Sequence, residues 1–176
     1  ISLPALAHNA HDMLKRASGT SIRVASKSVR VRAVMDAVLA LPGYSGVLAY
    51  TLAEALWLAE TIEDVVVGYP SADRSAIAKL AASARLAKRV TVMVDSVAQL
   101  DLIDASAPPT KREPIRVAID LDASWQSRAI GFTGVYRSPV RTAAQATTLA
   151  RAIVDRPGFR LVGIMSYEAQ IAGVAN

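Results

Sequence analysis

The sequence contains no cysteine, so neither a disulfide framework nor a thiolate metal site is available to it. Aromatic residues are scarce at 5 %, which leaves few rings for stacking bases. The formal charge of +5 is not concentrated either: only Lys15-Arg16, Lys88-Arg89 and Lys111-Arg112 are adjacent basic pairs. A solvated basic surface is therefore expected, with no nucleic-acid partner. Apolar runs are broken by charges well before they could cross a bilayer, which predicts no membrane span. Residues 1–10 carry Pro4, His8 and Asn9 and lack the basic start and apolar stretch of a signal peptide. These absences make the cytoplasm the expected compartment. Ile1 is not an initiator methionine, so the chain is expected to begin inside a longer reading frame or after processing.

What is present is apolar and periodic. At 176 residues, 52 % of them apolar, one domain with a packed core is expected. Short Val/Ile-rich runs at 22–26, 46–50, 64–69, 89–95, 114–121 and 160–166 are nearly continuous in hydrophobicity, the pattern of strands buried on both faces. Between them, Ala/Leu-rich stretches at 31–40, 52–60, 74–87, 97–105 and 142–155 have helical spacing, and an earlier helix covers 4–16. Ser2 is placed to cap that first helix, Asp73 the one starting at Arg74, and Thr142 the last. Pro42-Gly43 and Pro157-Gly158 terminate helices.

Strands alternating with helices argue for a parallel sheet. Two architectures satisfy that order. A (β/α)₈ barrel needs eight strands and about 250 residues, so this chain would be an incomplete one. An open doubly wound sheet of six strands would need nothing more, and the pattern alone favours it.

In both folds functional groups gather where the strands end. Those ends are polar here: Ser26-Lys27-Ser28, Tyr50-Thr51, Gly68-Tyr69, Asp95-Ser96, Asp120 with Asp122, and Ser166-Tyr167-Glu168. They describe a mouth for a small polar ligand, although strand ends are polar wherever they emerge into loops. Lys27 stands at the rim of the apolar run before it. Burial there would favour its neutral amine, which attacks aldehydes to give a Schiff base; the other reading is a lysine that snorkels to solvent. Residues 122–138 are long for a βα connection and carry Trp125, Arg128, Gly131, Gly134 and Arg137. His8 and His11 sit one turn apart on the first helix and read as surface or packing residues.

Several segments, in order, resemble the alanine-racemase-type (fold type III) pyridoxal 5'-phosphate (PLP) enzymes. Residues 1–9, ending in His8-Asn9, look like the opening of those barrels. Val24-Ala25-Ser26-Lys27-Ser28 falls where the family carries its cofactor lysine. Arg137-Ser138-Pro139-Val140 is similar to the arginine-containing turn after the fifth strand, and Gly163-Ile164-Met165-Ser166-Tyr167 to the end of the sixth. The wording is nearest the D-threonine aldolase and D-serine dehydratase branch, including its "amino acid deaminase/aldolase" members. True racemases have a short Ala/Asn–Tyr–Gly run after the lysine, and Ser28-Val29-Arg30 departs from it.

The resemblance turns the preference to the barrel: residues 1–176 would form a partial PLP-binding barrel domain of about six βα units, without the C-terminal β domain. It implies an internal aldimine at Lys27, Arg137 near the cofactor's phenolic oxygen, Tyr167 against its ring, and Ser166 and Tyr50 on the cofactor-binding wall. Asp120 and Asp122 are candidates for orienting the loop or a water. The implied activity is a PLP-dependent lyase, an aldolase or deaminase, on a small D-amino acid. Amino acid racemisation and a non-catalytic PLP-homeostasis role are the alternatives. A homodimer is implied for the intact protein, as is a divalent metal held by the C-terminal domain; no metal site is expected within this chain. A chain that ended at Asn176 is expected to be inactive alone.

Overall fold

The structure is a computed structural model describing residues 2–129 and 131–168; Ile1, which opens the family resemblance, lies outside the described residues. Its centre is a six-stranded parallel sheet: β1 (Ile22–Ala25), β2 (Tyr44–Ala49), β3 (Val65–Pro70), β4 (Val90–Val94), β5 (Ile115–Leu121) and β8 (Phe159–Ser166). Spatial order follows chain order without reversal. An open doubly wound sheet reverses at a switch point; this one does not, so the winding is that of a barrel wall. The sequence pattern alone leaned the other way because hydrophobic periodicity reports strands and helices but not the side on which each connection crosses.

Helices α1 (Leu3–Ala17), α2 (Arg32–Leu39), α3 (Leu52–Leu58), α4 (Arg74–Ala81), α5 (Ala84–Arg89), α6 (Val97–Ser106) and α7 (Ala143–Val154) precede or connect the strands. Their starts are written in the sequence. Ser2, Thr51, Asp73, Ser83 and Thr142 each accept a backbone N–H of the following first turn, and Thr142 with Gln145 completes a reciprocal capping box. One expected helix, 74–87, is two. Ser83 takes the N–H of Leu86 on its own hydroxyl at 3.3 Å and so begins a new helix rather than continuing the old one.

Alternation along each strand sends Val47, Val65, Val67, Val92, Val117 and Ile119 into a single core with Leu52, Leu58, Leu80, Leu100 and Ile153 of the helices. The opposite face of the sheet carries polar groups at both ends. At the starts of the strands, Arg23 and Arg116 converge on Asp64, at 2.6 and 3.7 Å. Gly46 makes room for this: its φ is +78°, and a Cβ there would lie 2.5 Å from the Arg23 guanidinium. Among the described residues no helix is long and apolar enough to cross a membrane.

The long connection after β5 is not wholly irregular. It holds a hairpin, β6 (Trp125–Ser127) against β7 (Gly131–Thr133), antiparallel. Strands of three residues leave no periodicity to detect. Replacing the fully buried Ile119 by Ala should lower unfolding free energy by about 2–5 kcal/mol, and Thr142→Ala by about 1 kcal/mol. Urea unfolding of the variants measures both, and an Ile119→Ala loss no larger than the cap variant's would contradict the core assignment.

Candidate functional site

The ends of β1, β2, β3 and β8 deliver side chains to the mouth of the sheet. Ser26 follows β1 and is fully buried; its N–H and its hydroxyl both donate to the Leu48 carbonyl, at 3.0 and 3.3 Å. This pins the strand end, and the next residue, Lys27, emerges on the side of Ala25 as the chain turns: the N–H groups of Ser28 and Val29 come back to the Ala25 carbonyl. Tyr50 is held by the helix that follows it, its N–H donating to Glu54 Oε2 at 2.8 Å while Thr51 caps α3. Tyr69 lies near the end of β3, with its ring edge-on to that of Tyr50, centroids 5.6 Å apart.

Arg137 reaches this group from the loop after the hairpin. Its Nε donates to Asp120 Oδ1 at 2.8 Å, and its Nη2 donates to the Gly68 carbonyl. Its guanidinium lies 4.4 Å from the Tyr69 ring centroid and 6.0 Å from that of Tyr167. Ser166 donates to Glu168 Oε1 at 2.7 Å, which holds the Glu168 carboxyl below its ordinary value.

Together Lys27, Tyr50, Tyr69, Arg137, Ser166 and Tyr167 line an open cleft of about 510 Å³. The five residues nominated from sequence, Lys27, Tyr50, Arg137, Ser166 and Tyr167, thus share one lining. Lys27 differs from expectation in one respect. It is exposed on the cleft wall rather than sunk at the rim of the core, because the turn at residues 26–29 carries it out of the apolar run. Tyr69 was not nominated; its place at a strand end, matching Tyr50 on the neighbouring strand, was the available signal. Trp125 and Arg128 sit on the exposed hairpin, away from the cleft lining. Gly134, with φ +135°, packs where a Cβ would meet Ser124 at 2.5 Å, so it serves the loop's folding. His8 and His11 are exposed on α1, and no cluster of metal-ligating side chains exists among the described residues.

The two aspartates of β5 and its exit differ in environment. Asp122 organises the loop base: Oδ1 accepts from Ser124 N–H at 2.8 Å, its own N–H donates to Val140, and Oδ2 lies 3.6 Å from Arg141 Nε. Asp120 is 0 % exposed, and its Oδ2 has no hydrogen-bond partner. Burial pushes its carboxyl above the ordinary carboxylate value. The Arg137 hydrogen bond and charge pull the other way, and the charges of Asp95 and Asp122 add to the rise.

Parallel strands wound in sequence, with a cleft at their carboxyl ends lined by three tyrosines, Lys27 and Arg137, define a barrel-type α/β domain. The chain belongs to the alanine racemase N-terminal domain family, whose profile matches residues 1–175, and membership implies PLP as cofactor. None of the curated proteins compared with the chain matches it. Solved structures do. D-threonine aldolase from Filomicrobium marinum is 21% identical with a TM-score of 0.69, over 92% of this chain and 41% of that one. Alanine racemase from E. faecalis is 18% identical with a TM-score of 0.69, over the same shares, 92% and 41%. D-threo-3-hydroxyaspartate dehydratase from Delftia sp. HT23 is 25% identical with a TM-score of 0.66, over 94% and 41%. The fold is therefore part of a (β/α)₈ barrel, and the chain spans 41% of the length of these structures.

Asp120 holds its proton more tightly folded than unfolded. Its contribution to stability is thus present below the ordinary carboxylate range and lost as pH rises through its raised value. Urea midpoints from about pH 4 to about pH 7 should show wild type losing ground to Asp120→Asn as pH rises. A constant difference would contradict the raised value.

Proposed function

We propose that this chain is the cofactor-binding barrel portion of a PLP-dependent lyase acting on a small D-amino acid, with Lys27 as the residue that holds the cofactor. The observation that carries the reading is the position of Lys27: an exposed amine at a strand end, on the wall of a cleft that it shares with three tyrosine rings and the Arg137 cation. A planar, anionic pyridoxal group suits that lining. Tyr50, Tyr69 and Tyr167 are each 40–47% exposed and so keep ring surface free for a flat ligand. Arg137 offers a charge for an anionic oxygen.

When bound, the cofactor withdraws electrons from the substrate's alpha carbon. The chain's own residues then have three tasks. Lys27 makes the covalent attachment through its amine and afterwards moves the proton at the alpha carbon. Arg137, held by Asp120 and Gly68, would offer its charge to the phenolic oxygen and so help to orient the ring. Tyr167 packs beside the ring, and the hydroxyls of Ser166 and Tyr50 hydrogen-bond polar groups at the rim. The lyase assignment, rather than racemisation, follows the sequence wording around Lys27 and the similarity to D-threo-3-hydroxyaspartate dehydratase at 25% identity. Its substrate is a beta-hydroxy D-amino acid. Residues 1–176 supply the barrel part, and the whole protein is a homodimer whose C-terminal domain carries a divalent metal.

Two measurements on the intact protein test this. Added PLP should produce a protein-bound visible absorption band, and borohydride should trap the cofactor on the peptide containing Lys27. Lys27→Ala should abolish trapping, and a trapped lysine elsewhere would refute the assignment. With D-threonine as substrate, glycine plus acetaldehyde, or an oxo acid plus ammonia, is expected. Formation of the other enantiomer alone would make the protein a racemase.

A further inference from the structure

The buried carboxylate of Asp120 has no part in lining the cleft, yet it makes the better of Arg137's two anchors. Side-chain exposure is 10% for Arg137 and 0% for Asp120. Nε of the guanidinium is committed to Asp120 and Nη2 to the Gly68 carbonyl, while Tyr69 lies under its plane. Among the described residues that leaves Nη1 as the nitrogen for a ligand. A guanidinium clamped on two edges and one face has one orientation, and its free edge is set by the partners on the other edges. Resting on the cofactor reading above, we propose that Asp120 is a positioning residue that aims Arg137 at an anionic oxygen of the bound cofactor and partly neutralises its charge.

The geometry around Asp120 supports this role over a purely structural one. Its Oδ2 has no hydrogen-bond partner although it is buried, an arrangement that is costly unless the pairing it permits is used. The charged groups facing it are Arg137 from the loop, Asp95 at the end of β4 and Asp122 on its own strand exit; on β8 its register partner is Met165, which does not titrate. Asp122 Oδ1 accepts from Ser124 and its Oδ2, also without a hydrogen-bond partner, lies 3.6 Å from Arg141. Of these three carboxylates, Asp120 is the one that bonds the Arg137 guanidinium.

The test uses the intact protein with PLP as the probe, comparing wild type, Asp120→Asn and Asp120→Ala. The asparagine variant keeps an oxygen to accept from Nε but removes the negative charge. Its thermal unfolding should remain cooperative, and the pH midpoint of the bound cofactor's visible band should fall by about half a unit or more, because an uncompensated guanidinium favours the deprotonated form. Asp120→Ala should bind PLP about tenfold more weakly, equivalent to about 1.4 kcal/mol. A folded Asp120→Asn with wild-type affinity and an unmoved midpoint would overturn the inference; if the alanine variant does not fold, the asparagine variant decides alone. Wild type that binds no PLP would instead remove the reading on which the inference rests.

Discussion

The guanidinium of Arg137 ties together parts of the chain that are far apart in sequence. It bonds Asp120 on β5, the Gly68 carbonyl on β3, and packs on Tyr69 at the end of β3, while itself belonging to the loop that follows the hairpin. Without that tie the loop would be held by its base at Asp122 and Val140, by Ser124 on the Val135 carbonyl and by Arg141 against the Phe132 and Tyr136 rings. The cation that shares the cleft lining with Lys27 would then lose its fixed place. Buried ion pairs contribute little net stability, because desolvation offsets attraction. The value of this one lies in geometry: it converts a flexible side chain on a long loop into a fixed feature of a rigid sheet.

The sheet is what makes such a tie possible. Parallel strands in chain order bring six carboxyl ends to one rim, and alternation of side chains hands each rim position to the cleft or to the core. Ser26 and Lys27 show how sharp the division is. One is fully buried against Leu48; the next is exposed on the lining. A single-residue slip of β1 would exchange them, and the register is held by the Ser26 N–H and hydroxyl on the Leu48 carbonyl.

Much of this was legible in the residues. Continuous Val/Ile runs located every strand of the main sheet, although burial on both faces holds for inner strands such as β4 and not for the edge strands β1 and β8, where Val162 and Ile164 are exposed. Caps such as Thr51 and Thr142 marked helix starts through a local chemistry that needs no tertiary context. The winding was not legible, since periodicity does not encode on which side a connection crosses; only the resemblance pointed to a barrel. The break at Ser83, the three-residue hairpin strands and the exposure of Lys27 were missed for a common reason. Each depends on a turn of one or two residues, where competition between a side-chain and a backbone hydrogen bond decides the path. Tyr69 was passed over although it occupies the same kind of position as Tyr50.

The two polar ends of the sheet's cleft face use the same chemistry to opposite effect. At the strand starts, Arg23 and Arg116 share one carboxylate, Asp64, and Gly46 admits the guanidinium by having no side chain. Two guanidinium groups on one carboxylate leave a surplus of positive charge there, and Gly46 and Asp64 also line an open hollow with Asp36, Glu60 and Glu63. At the strand ends Asp120 pairs with Arg137 and feels the charges of Asp95 and Asp122, Asp122 lies 3.6 Å from Arg141, and Lys27 lines the same cleft as Arg137. Burial raises the Asp120 carboxyl against the opposing pull of the Arg137 hydrogen bond and charge. An anion in that cleft would meet both Lys27 and Arg137 on its lining. The linings separate the two ends. Two cations and three tyrosine rings share the strand-end cleft. The hollow beside Asp64 carries four carboxylates, Asp36, Glu60, Glu63 and Asp64, with the cation of Arg32, so an anion is better met at the strand ends.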